Sequence, residues 1–152
     1  MKIAVASDHA GYDLKTALLG FLEERGIPHE DFGASPGETV DYVDQAETAI
    51  RAVLNGGCDR AILVCGTGIG MAMAANKFPG IRATVCWSAF TADMARRHND
   101  SNCLTLGGRV LRPDEGLAVA RIWLDTPFEG GRHRRRLDKL AALEARACGR
   151  RP

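Results

Sequence analysis

Five short runs rich in strand-forming residues, at 3–7, 29–32, 61–65, 83–87 and 103–106, alternate with longer stretches of helical period. No other feature of the chain limits its fold as much, because a strand followed by a helix, repeated, is the pattern of βα units stacked around a parallel sheet. The runs at 61–65 and 83–87 are nearly continuously apolar, as expected of parallel strands covered on both faces. Between the runs, Leu14, Ala17, Leu18, Phe21 and Leu22 make one apolar helical stripe, stopped by Gly26-Ile27-Pro28. Further helices are predicted over 41–54, closed by Asn55-Gly56-Gly57, and over 69–76, 89–97, 113–124 and 132–147, with Pro113 at a helix start. The expectation is an α/β fold with a five-stranded parallel sheet. At 152 residues it forms one domain, 1–152, in which 127–152 is a basic C-terminal helical tail.

Composition removes several function classes. No apolar run approaches the roughly 18 residues of a membrane span, and Met1-Lys2 leads directly into the first strand instead of a leader, so a cytoplasmic protein is expected. Five cysteines, an odd number with no CxxC pair, point to free thiols. The four histidines, His9, His29, His98 and His133, lack metal-ligand spacing, so no metal and no other cofactor is expected. The net charge of +1 hides an asymmetry: from Pro127 onward eight Lys/Arg face three Asp/Glu. A short basic segment on a mildly acidic body fits an anionic small molecule. With 6% aromatics to stack bases, nucleic acid is not an expected partner.

A parallel sheet gathers its chemistry outside the carboxyl ends of its strands. Asp8-His9 follow the first strand, Cys65-Gly66-Thr67-Gly68-Ile69-Gly70 the third and Gly107-Gly108-Arg109 the fifth, whereas His98-Asn99-Asp100 fall before the fifth and must reach across to join them. The alternate glycines of the 65–70 turn let backbone N–H groups approach a ligand, and the helix start behind them favours an anion. The turn is not a P-loop, lacking Gly-Lys-Ser/Thr, and Met71 replaces the third glycine of a dinucleotide fingerprint, so nucleotide binding is disfavoured. A turn used only for tight strand–helix packing is the plain alternative.

Cys65 sits at the strand tip beside those amides, which favour a thiolate able to act as base or nucleophile; a buried structural cysteine is the competing reading. Thr67 offers a hydroxyl to relay a proton or orient a substrate oxygen. Asp8, His9, His98 and Asn99 supply acid–base and hydrogen-bonding groups. Arg132 and Arg136, four apart on one helical face, suit a phosphate unless they are only a solvated face. The helix after the fifth strand runs away from the carboxyl edge, so these arginines are expected to reach a neighbouring subunit.

Ser7-Asp8-His9-Ala10-Gly11-Tyr12, the 65–70 turn, the stretch 74–82, His98-Asn99-Asp100 and Gly131-Arg132-His133 occur in that order. Over residues 1–144 the chain thereby resembles the type B ribose-5-phosphate isomerase family, which includes allose- and galactose-6-phosphate isomerases. The resemblance implies a Rossmann-like three-layer αβα sandwich, a homodimer or dimer of dimers with shared active sites, and a sugar phosphate as substrate. It implies Cys65 as the base, Thr67 as the assisting hydroxyl, and the amides of Gly66, Thr67, Gly68, Ile69 and Gly70 as the anion hole. It assigns Asp8 and His98 to ring opening, Asn99 to a sugar hydroxyl, and His9, Arg109, Arg132 and Arg136 to phosphate, with Tyr42 lining the site. Members without the cysteine carry a glutamate six residues later, where this chain has Met71, and Val43 replaces a common proline. The expected reaction is the interconversion of ribose 5-phosphate and ribulose 5-phosphate through an enediolate. A six-carbon sugar phosphate, or a non-catalytic sugar-phosphate sensor, is the alternative.

Overall fold

Along β1 (Ile3–Ser7), Ile3 and Val5 point to one face of the sheet and Ala4 and Ala6 to the other, and all four are fully buried. A strand apolar on both faces must be covered on both. The same alternation runs along β3 (Arg60–Cys65) and β5 (Cys103–Gly107), whereas the outer strands β2 (His29–Asp31) and β4 (Ala83–Val85) are partly buried or exposed. The structure, a computed structural model, describes residues 1–149. Its strands form one parallel sheet in the order β2-β1-β3-β5-β4. Residues 150–152 of the predicted tail lie outside the described residues.

The helices are α1 (Tyr12–Glu24), α2 (Tyr42–Leu54), α3 (Ile69–Ala75), α4 (Ala89–Arg97), α5 (Pro113–Asp125) and α6 (Arg132–Cys148). Leu18 and Leu22 of α1, Ala92 of α4 and Trp123 of α5 pack with Ile3, Val5, Ile62, Val64, Leu104 and Leu106 into one core. Ala46, Ala49 and Ile50 of α2 and Met71 and Ala75 of α3 pack with Ala4, Ala6, Leu63 and Cys103 into another. The expected three-layer αβα sandwich is thus two cores separated by the sheet. By contrast, α6 buries only His133 and Leu137, one helical turn apart, and leaves Leu140 and Leu143 half exposed.

Three elements differ from the sequence-based expectation. The run 83–87 is a strand only to Val85 and forms a half-buried edge with β5 as its one neighbour. Cys86 still donates its N–H to Thr105, but the backbone then turns so that Ser88 can cap α4 through a capping box with Thr91, leaving Trp87 60% exposed. Asp41 is the N-cap of α2, accepting from Val43 N–H, and not its first residue. A 3-10 turn at His9–Gly11, capped by Asp8, precedes α1.

Candidate active site

The loops after β1, β3 and β5 interlock at the carboxyl edge because glycines remove the side chains that would hold them apart. A Cβ on Gly11 would lie 2.6 Å from the Val64 carbonyl oxygen, and one on Gly108 would lie 2.7 Å from that of Ala10. Backbone bonds stitch the same loops together: Gly108 N–H donates to the Cys65 carbonyl at 2.8 Å and Arg109 N–H to that of Gly66 at 3.0 Å. Asp8, Cys65 and Arg109 are therefore brought to one place from three separate stretches of chain.

At the tip of β3 the Cys65 side chain is 5% exposed, and its Sγ accepts the Gly68 N–H at 3.1 Å. Gly68 holds a left-handed φ of 79°, which folds the turn back over the sulfur and starts α3. Thr67 Oγ1 accepts the Ile69 N–H at 3.3 Å. The first turn of α3 directs further backbone N–H groups outward, as any helix start does. Asp8, nearly buried, accepts the N–H groups of Ala10 and Gly11 on one oxygen at 2.9 and 3.0 Å. Its carboxylate is fixed by backbone, not by a counter-ion among the described residues. The Arg109 side chain lies against Gly66, and the Tyr42 ring lies so close to Gly70 that a Cβ there would fall 2.7 Å from Cε2. His9 is exposed and lines a small cleft of about 200 Å³ with Tyr12, Ser35, Glu38 and Thr39.

The remaining predicted residues gather at the opposite end of the sheet. Cys65 pairs with Gly107 but Ala61 pairs with Cys103, so β5 starts four residues, about 13 Å, below the level of Cys65. His98 closes α4, ahead of that start. The expected reach of 98–100 across to the carboxyl crevice does not occur, because Asp100 and Ser101 turn directly into β5. His98 instead stacks on His133 of α6, with ring centroids 4.1 Å apart and planes 7° from parallel. Asn99 is exposed beside it, as are Arg132 and Arg136 on the first turns of α6.

His133 is absent from the predicted site, although a buried face at 133 and 137 is readable from helical spacing. The ring is 2% exposed; its Nε2 accepts from Arg132 Nε at 3.2 Å, and Nδ1 is buried without a partner among the described residues. Burial first, and then the charge of His98, hold this imidazole below its ordinary range, with Arg132 and Arg136 adding to the shift and Glu129 at 3.6 Å opposing it. His98, Glu129 and His133 offer donor atoms within 4.8 Å of one another. Parallel stacked rings, however, send their in-plane lone pairs side by side, not toward one ion, so the trio is arranged for stacking and not for coordination.

The chain is similar to known proteins over nearly its whole length. Residues 3–140 match the family model described as Ribose/Galactose Isomerase. The chain is 42% identical to ribose-5-phosphate isomerase B of Escherichia coli over 145 residues, covering 95% of this chain and 97% of the relative. It is 38% identical to D-erythrulose-4-phosphate isomerase of Pectobacterium atrosepticum, covering 95% of each. The solved ribose-5-phosphate isomerase B of Clostridium thermocellum superposes with a TM-score of 0.94 at 47% identity, over 97% of this chain and 99% of that one. With its parallel sheet, its cysteine-tipped third strand and matches spanning nearly the whole of both chains, the protein belongs to the ribose/galactose isomerase family.

Proposed function

We propose that the chain interconverts ribose 5-phosphate and ribulose 5-phosphate, as a homodimer in which each site draws on both chains. One observation carries the reading: Cys65 Sγ, at a strand tip among backbone N–H groups, accepts one of them at 3.1 Å, an environment suited to a thiolate base with an anion hole beside it. In the ring-opening step, His98 gives a proton to the ring oxygen while Asp8 assists at the C1 hydroxyl. The Cys65 thiolate then removes the C2 proton, the 66–70 amides hold the resulting enediolate, and Thr67 passes a proton between O1 and O2. The Cys65 thiol returns its proton at C1. His9, Arg109, Arg132 and Arg136 anchor the phosphate, whose remote binding energy helps hold the reacting end in place. Asn99 and Tyr42 contact the sugar.

Two chains are needed because Cys65 and His98 sit at opposite ends of one sheet; a partner supplies the missing end. Ile69, Met73, Trp87 and Phe90 are each more than half exposed, apolar area of the kind a second copy covers. A cytoplasmic setting fits the free thiols Cys58, Cys65, Cys86 and Cys103, and no helix among the described residues is long and apolar enough to cross a membrane.

The test is conversion of ribose 5-phosphate by wild type and Cys65→Ala, with allose 6-phosphate and erythrose 4-phosphate run alongside. The wild type is expected to convert the five-carbon sugar, and the variant to lose at least about a thousandfold in turnover, roughly 4 kcal/mol, while still binding it. Tight binding without conversion by the wild type indicates a sensor instead, and preference for another chain length reassigns the substrate.

A further inference from the structure

The turn that carries His98 and Asn99 is held more firmly than a connection between a helix and a strand requires. Arg82, just ahead of β4, donates through Nε to the carbonyls of Asn99 at 3.1 Å and Asp100 at 3.0 Å. Its terminal nitrogen donates to the Asp100 carbonyl at 2.7 Å and to Asp100 Oδ2 at 3.3 Å. From the other side Arg96, 3% exposed, donates to Asp100 Oδ1 at 2.9 Å, to the Ser101 carbonyl at 2.6 Å and to the Thr126 carbonyl at 3.3 Å. Asp100 is the one non-glycine among the described residues with positive φ, 44°, a conformation that persists where surrounding contacts over-determine it. Below it, fully buried Ser101 sets its Oγ 3.0 Å from the Arg82 carbonyl and accepts Trp123 Nε1 at 3.3 Å.

We infer that Arg82 and Arg96 are positioning residues for ring opening: their shared grip on Asp100 fixes the direction in which His98 and Asn99 are presented to the sugar held by the other chain. The inference rests on the ring-opening role proposed above for His98. A proton donor must come within about 3 Å of the oxygen it serves, and a misplacement of about 1 Å costs on the order of a hundredfold. On one side the His133 stack sets the plane of the His98 ring; on the other only the backbone of the 98–101 turn sets where that ring sits. A guanidinium fork makes several bonds in one fixed plane, which a lysine cannot copy. Neither arginine touches the sugar in this scheme.

The step itself can be isolated. In Cys65→Ala no C2 proton is removed, yet ring opening remains: the bond between C1 and the ring oxygen breaks as that oxygen gains a proton and the C1 hydroxyl loses one. Reclosure reverses the step, so the only net event is exchange between the α and β forms of ribose 5-phosphate, read by NMR exchange spectroscopy on C1-labelled sugar. Cys65→Ala is expected to accelerate this exchange, and Cys65→Ala/His98→Gln to lose the acceleration. Cys65→Ala/Arg82→Gln should lose about tenfold or more while its affinity for ribose 5-phosphate, measured by titration, moves much less. Arg82→Lys in the same background should fall between, and it carries the test if the glutamine variant does not fold. Exchange within twofold of Cys65→Ala in the folded Arg82 variants overturns the inference and leaves the role of His98 standing. Persisting acceleration without His98 overturns that role, and the inference with it.

Discussion

Cys65 and Cys103 lie on adjacent strands, on the same face of the sheet and both buried, but Cys65 is at the carboxyl tip beside a turn of backbone N–H groups and Cys103 is enclosed at the amino end. Burial alone pushes the Cys103 thiol far up, and the thiols of Cys58 and Cys86 are also raised by it. Cys65 receives an N–H on its sulfur. The glycine turn after residue 65 marked that place in the sequence, because alternate glycines at a strand tip let backbone N–H groups come close to the side chain there. The burial of His133 was readable from helical spacing, but its stacking on His98 was not, since that partner closes α4, 35 residues earlier. The depressed pKa of His133 has a consequence for stability. The unfolded chain takes up a proton near the ordinary value of 6.5 while the folded chain still refuses it. Stability contributed by the neutral ring is therefore present above that value and is lost as pH falls below it, until the folded ring also protonates. Melting temperature should drop from pH 7 toward pH 5 in the wild type, and drop less steeply in His133→Gln.

At the level of elements, the positions of β1, β3 and β5 and of the helices over them were readable because short strand-forming runs alternate with longer stretches of helical period. The edge strand was not: an apolar run at 83–87 reads alike whether one neighbour covers it or two, and only the sheet order decides. Glycines separate in the same way by what surrounds them. Gly20 lies in α1, where an added Cβ would meet nothing within 4 Å, whereas Gly11 sits against the Val64 backbone. Gly20→Ala should stabilise the protein by about 0.5–1 kcal/mol through helix propensity. Gly11→Ala should destabilise it by about 1–3 kcal/mol and shift the loop bearing Asp8. Paired chemical denaturation of the two variants checks both signs.

For the whole molecule, the decisive relation is between the two ends of the sheet. The sequence placed each motif before or after its strand, but distance between ends depends on strand register, which no single motif reports. If one site spans two chains, Cys65→Ala and His98→Gln variants, each nearly inactive alone, should restore about a quarter of wild-type activity when unfolded together and refolded as a mixture. Half the random pairs are then mixed, and each mixed pair has one intact site of two. Mixed protein no more active than its parents would place the whole site within one chain. On the proposed reading, base and proton donor kept on opposite ends of the sheet would also make catalysis subject to mass action. A solution dilute enough for the pairs to part would contain no complete site, so the rate per chain would fall with concentration, and cellular abundance would decide whether the enzyme is on.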